Sequence, residues 1–163
     1  MTYYSFLIDD HKVGYFEMDF QQNIIYQNAR MTIDGTSFDN PFWLKIGDDQ
    51  RILAFKYDAG SWHDLSSYPD HAYPTCAFLF LVRRIAEGES LEYSAINEGK
   101  NLVTGKAVIT RQGQTITETV NGTAGRYVKL GDSSSIMEIG WGGSARCLLM
   151  ENRAMAVAET AFE

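Results

Sequence analysis

Apolar and polar residues alternate with a period of two over most of the chain, the pattern of strands that bury one face. Tyr4, Phe6 and Ile8 share one side; Tyr3, Ser5 and Leu7 take the other. After Asp9-Asp10-His11-Lys12, a turn, the alternation resumes over residues 13–20, with Phe16, Met18 and Phe20 opposite Glu17 and Asp19. Gln21-Gln22-Asn23 precedes a third expected strand, residues 24–33. Asp34-Gly35-Thr36 and Asp39-Asn40-Pro41 bracket an expected loop, because each of these residue types favours turn geometry. Residues 42–46 and 51–57 predict a further hairpin.

Residues 59–73, Ala-Gly-Ser-Trp-His-Asp-Leu-Ser-Ser-Tyr-Pro-Asp-His-Ala-Tyr, break the pattern. A loop of this length without structure of its own is functional or packed as a lid. Residues 74–86 predict the one helix: Pro74 suits its first turn, Arg83 and Arg84 its last, and Gly88 a position beyond its end. Its interior, Cys76-Ala77-Phe78-Leu79-Phe80-Leu81-Val82, is apolar on every side, so the helix is expected to be buried against the sheet. A buried central strand is the competing reading of so short an apolar run.

From Glu89 the alternation returns. Residues 91–96, 102–111, 115–120, 126–130, 136–141, 145–150 and 154–162 are expected strands. Asn97-Glu98-Gly99-Lys100, Gln112-Gly113-Gln114, Asn121-Gly122, Gly131-Asp132-Ser133 and Glu151-Asn152-Arg153 separate them. A meander of roughly ten or more strands must curl or close. The expected fold is a mainly β, antiparallel meander curled into a barrel or half-barrel, a single domain over residues 1–163, with one buried helix near residues 74–86.

Composition sharpens this picture. Aromatic residues make up 13% of the chain, including 9 Tyr and 9 Phe, and they favour the half-buried surface of a sheet. The net charge of −7, with no Lys/Arg run to offset it, sets the surface against phosphate backbones and anionic membranes. Nucleic acid is therefore not an expected partner. The longest apolar run is far too short for a membrane span. The start of the chain lacks the features of a secretory signal, so the expected compartment is the cytoplasm, or the periplasm for a chain whose signal has been removed. Cys76 and Cys147 are expected to be buried free thiols, with a single disulfide as the alternative.

Candidate chemistry is sparse. His11, His63 and His71 show no metal-ligand spacing, so neither a metal nor a cofactor is expected. His63, Asp64, Asp70 and His71 lie in the irregular loop beside Ser61, Ser66 and Ser67, and are the only candidates for acid–base work. Triads are recognised by geometry, and no nucleophile elbow is present. Gly140-Trp141-Gly142-Gly143-Ser144 follows a strand and precedes another, so it reads as a bulge or hairpin bend rather than a phosphate loop. Glu92, Glu118 and Glu138 lie within apolar strands without an assignable role. The aromatic surplus on a curled sheet points to an apolar interior. Phe16, Met18, Phe20, Phe55, Tyr57, Phe78, Phe80 and Trp141 are the expected lining, with Trp43 and Trp62 at the rim.

The opening Tyr-Tyr-Ser-Phe-Leu-Ile-Asp-Asp-His-Lys-Val-Gly-Tyr resembles the start of uncharacterised bacterial half-barrel proteins. Residues 76–88 and 146–162 are similar to their mid-chain apolar segment and final strand pair. These proteins are related in shape to lipoprotein carriers and to a family described as glycolipid-binding. The resemblance implies a half-barrel and a lipid-like ligand, and supplies no catalytic residue. Three functions are therefore expected, in this order: binding of a hydrophobic or lipid-like small molecule, a structural or oligomerising domain whose sheet edge pairs with a partner such as a second copy in a homodimer, and an enzyme using the same cavity with loop His/Asp residues.

Overall fold

The computed structural model describes residues 1–163 and has a 13-stranded sheet with two helical segments laid against it. Strands β1 (Thr2–Ile8), β2 (His11–Gln21), β3 (Ile24–Ile33), β4 (Thr36–Ile46) and β5 (Ile52–Tyr57) form one antiparallel meander, ended by the two-residue β6 (His63–Asp64). After β7 (Ala72–Pro74), a second meander runs through β8 (Ser90–Asn97), β9 (Leu102–Gln112), β10 (Thr115–Val120), β11 (Thr123–Leu130), β12 (Ile136–Gly140) and β13 (Ala145–Met150). Pairing of β1 with β13 joins the two meanders at the centre of the sheet. The strand order is β6-β5-β4-β3-β2-β1-β13-β12-β11-β10-β9-β8-β7, and only β7 and β8 run parallel. The two edge strands do not pair, so the sheet curls without closing, and residues 65–71 connect one edge to the other.

Breaks in register bend the strands at Phe6/Leu7, Lys45/Ile46, Ala95/Ile96, Thr117/Thr119 and Lys129/Leu130. An inserted residue increases the local twist, which is how a long sheet acquires curvature. Alternation then does the rest. Tyr4, Phe6, Phe16, Met18, Ile25, Leu44, Phe55, Ile109, Ile116, Val128, Ile139 and Cys147 belong to one apolar core inside the curl.

The apolar run expected as a helix is one, shorter than its expected span. A 3₁₀ turn (Thr75–Ala77), α1 (Phe78–Leu81) and a second 3₁₀ turn (Val82–Arg84) follow one another inside the curl. Residues 76–82 are all buried there, as an all-apolar helix requires. Cys76 and Cys147 are both buried free thiols. No helix is long and apolar enough to cross a membrane.

Two expectations are corrected. The loop expected over residues 34–41 is only the turn Asp34-Gly35, both at positive φ, the geometry of a tight two-residue hairpin. β4 then pairs with β3 from Thr36 onward. Pro41 is tolerated within β4 because the ladder to β5 ends at Phe42. Its carbonyl still accepts from Asp58 N–H on that side, where its missing N–H costs nothing.

The strand expected over residues 154–162 is instead the short helix α2 (Arg153–Val157) followed by turns. Asn152 caps it by accepting the Met155 N–H, and alanines at 154, 156 and 158 favour the helix. α2 sits on the convex face of β1 and β2, where Ala156 and Val157 bury Tyr15, and Ser5 Oγ donates to the Ala156 carbonyl. The convex positions Ser5 and Tyr15 are buried for this reason. At Gly140 the Tyr127 ring lies over the backbone, so that a Cβ there would overlap it, and Trp141–Ser144 form the hairpin bend expected of a glycine-dense stretch.

Candidate functional site

The N-terminal end of the helical segment is held by polar side chains of the surrounding sheet. Glu98, just past β8, accepts from the Thr75 hydroxyl and, at 2.6 Å, from the Cys76 N–H. The Cys76 N–H is a backbone donor that a helix start leaves unsatisfied, and an anion is favoured beside it. Arg126 of β11 donates from Nη1 to the Thr75 carbonyl at 2.8 Å, and Gln27 of β3 donates from Nε2 to the Cys76 carbonyl at 2.9 Å. At the other end of the segment, Arg111 donates to the Ile85 carbonyl. The segment is thus tied to both meanders.

Behind Arg126 stands Glu118 of β10, 3% exposed, and its carboxylate is held from two sides. Arg126 Nε and Nη2 approach its two oxygens at 2.8 and 3.0 Å, and Tyr93 donates its hydroxyl to Oε2. This forked guanidinium–carboxylate pair has the geometry in which buried charges are tolerated. The guanidinium also lies 4.4 Å from the Phe78 ring centroid. Burial alone would lower the pKa of Arg126, but hydrogen bonds and charge from Glu118 raise it above its ordinary value.

Two buried phenols border this interior. Burial, and then the neighbouring Glu118 charge, push the Tyr93 hydroxyl well above its ordinary range. Burial pushes Tyr4 up to about 12, partly opposed by Arg83. Both phenols keep their protons in the fold at a pH where the unfolded chain releases them. Their contribution to stability is therefore complete below pH 10, the ordinary tyrosine value, and is lost as pH rises, through about 12 for Tyr4. We expect each phenol to remove about 1.4 kcal/mol per pH unit in that window. Urea midpoints at pH 9 and pH 11, with tyrosinate absorbance followed in parallel, check this; equal midpoints would contradict it.

Between the helical segment and the sheet lies a cavity of about 220 Å³. Phe16, Ala29, Phe42, Phe78, Leu79, Ile139 and Trp141 give it apolar walls, while Gln27, Asn40, Thr75 and Arg126 supply polar groups. Trp141 is fixed by stacking on Phe6, ring centroids 5.4 Å apart.

Among the expected lining residues, Phe16, Phe78 and Trp141 meet on this cavity. Met18 and Phe55 are fully enclosed in the core. Tyr57 is half-buried against it. Phe20 shares the inner face of β2 but is 39% exposed, with the Arg83 guanidinium 4.0 Å above its ring. Trp43 packs against Tyr26 and under Lys56, and the same Lys56 lies over the exposed Trp62.

The loop candidates lie on opposite edges of the sheet. His63 and Asp64 form β6, where the His63 ring stacks on Phe55 and Tyr57, and Asp64 accepts the Ser66 N–H. Asp70 and His71 precede β7 and face a groove shared with Arg51, Tyr68 and Arg84. His71 has φ 58°, and its carbonyl accepts the Ser94 N–H. Neither histidine ring is hydrogen-bonded to a carboxylate.

Sequence reasoning missed Arg126, Gln27 and Glu98. Arg126 and Gln27 each occupy an inward position of a strand, and a polar residue there was the available signal. Glu98 sits in a turn and carried none.

No family model matches the chain, and no curated protein matches it. Among solved structures, the crystal structure of a DUF1089 family protein from Pseudomonas aeruginosa is similar to it, with a TM-score of 0.52. The two are 10% identical, over 82% of this chain and 91% of that one. At that identity the likeness is one of fold: the curled sheet recurs.

Proposed function

We propose that the chain binds a small, mostly apolar or lipid-like molecule in the cavity between its curled sheet and its helical segment. The observation that carries this reading is an apolar-walled space of about 220 Å³ with a few polar groups among its lining. Ligand sites have that character. A dry cavity of about 150 Å³ accommodates benzene, so this one suits roughly nine non-hydrogen atoms. A whole membrane lipid is too large, and a short chain or one end of a longer one fits. Ligands of that size reach dissociation constants of about 10 µM to 1 mM.

Native mass spectrometry of freshly purified protein, followed by organic extraction, is the direct test, with a bound apolar species as the expected result. Ala29→Leu puts extra methyl groups into the cavity from its wall. This variant is expected to keep the circular dichroism of the parent and to bind toluene at least about tenfold more weakly, roughly 1.4 kcal/mol. Bare protein at the mass of the chain, with Leu79 and Ile139 methyl resonances that toluene does not move, would rule the reading out.

A further inference from the structure

We infer that the cavity selects an uncharged chain ending in a hydroxyl over the same chain ending in a carboxylate. This rests on the binding reading above and specifies the ligand class.

The argument begins with the charges around the polar lining. Arg126 is the guanidinium on the cavity wall, and Glu118 already neutralises it through two hydrogen bonds. Glu98, 7% exposed, stands one hydrogen bond behind Thr75 and Cys76, which also line the cavity. Counting these three groups, one cation faces two carboxylates. An incoming carboxylate would be a third anion, brought into a partly desolvated site whose one cation is already paired. Like charges repel most where the dielectric constant is low. A free acid is therefore selected against, although an arginine lies on the wall.

The lining nonetheless offers both halves of a hydrogen bond. Three N–H bonds of Arg126 are engaged by Glu118 and by the Thr75 carbonyl, which leaves guanidinium N–H groups over on a wall residue. Gln27 is bonded through Nε2 to the Cys76 carbonyl, and no protein donor reaches its own carbonyl oxygen. A hydroxyl satisfies both, accepting from Arg126 and donating to Gln27, and brings no charge. Thr75 and Cys76 lie between these two side chains and complete the polar end. The apolar walls beyond it, Phe16, Phe42, Phe78, Leu79 and Ile139, take the chain.

The test is a chemical-shift titration of the full chain at pH 8, read at the Leu79 and Ile139 methyl groups, with octan-1-ol, octanoate and toluene as probes. Octan-1-ol is expected to bind about tenfold or more tightly than octanoate, and Glu98→Gln to narrow the gap by strengthening octanoate alone. That substitution keeps an acceptor for Thr75 and Cys76 while removing one negative charge. Should it disturb the fold, Gln27→Met gives the same information from the other side: octan-1-ol weakens several-fold and toluene does not. Octanoate binding as tightly as octan-1-ol, with toluene bound, overturns this inference and leaves the binding reading intact. Resonances unmoved by all three probes overturn both.

Discussion

Arg126→Leu is expected to destabilise the fold by about 3–5 kcal/mol, seen as a large fall in the urea midpoint. The side chain does three things at once. It neutralises Glu118, satisfies the Thr75 carbonyl and lies over the Phe78 ring. Removing it leaves a carboxylate that is 3% exposed with a single phenol as donor. An uncompensated buried charge costs more than the pair contributed, so the second half of the experiment is the informative one. The double variant Arg126→Leu/Glu118→Leu is expected to recover a substantial part of the loss, because the unpaired charge has gone with its partner. A double variant no more stable than the single one would show that the loss came from packing over Phe78 rather than from the stranded carboxylate.

Phe78→Ala is expected to have a comparable effect, about 3–5 kcal/mol, or a melting temperature lower by roughly 10 °C. Phe78 is 1% exposed, forms part of the core and is also a wall of the cavity. Truncation therefore merges the lost ring volume with a space that already exists, and little around it can collapse to fill the gap. The consequence separates this site from an ordinary core position. Toluene should raise the melting temperature of the variant by more than that of the parent, since binding of a ligand at free concentration L to the folded state adds RT ln(1 + L/Kd) of stability and the enlarged space binds it more tightly. Equal shifts would mean that the ring does not border the binding space.

Much of the sheet was legible because period-two alternation is a local property of the chain. Residues 24–33, 115–120 and 145–150 were read with their observed limits, each bounded by turn residues. The errors fell where two local signals competed. Asp39-Asn40-Pro41 carries strong turn chemistry, yet pairing with β3 along residues 36–45 prevails once Asp34-Gly35 has made the turn. The C-terminal segment offers weak apolar spacing to either a strand or a helix, and the Asn152 cap with packing on Tyr15 decides for the helix.

The site was legible only in part, for a different reason. Phe16, Phe78 and Trp141 announce themselves as large apolar residues at inward positions. The polar lining does not. Glu98 reads as a solvated turn carboxylate, and its burial depends on the start of the helical segment at Cys76, 22 residues away. Arg126 belongs inside because Glu118 lies across β10 and β11 from it, a pairing that only register establishes. Phe20 illustrates the converse: alternation places it on the inner face correctly, but Arg83 in the last turn of the helical segment lies over the ring at an open part of the curl.

The strand order has a consequence for how the molecule assembles. Because β1 lies beside β13, each flank of the sheet is a continuous stretch of chain in which nearly every strand pairs with the next one along. Each flank can therefore zip up through successive hairpins, closing only short loops at each step. The β1–β13 ladder is the one antiparallel pairing that must bring together residues from opposite ends of the chain, and it carries the largest loop-closure entropy. The helical segment, at mid-chain between β7 and β8, offers carbonyls that accept hydrogen bonds from Gln27 on one flank and Arg126 on the other. Its final hydrogen bonds, and with them the cavity, come into being only when the two flanks have met.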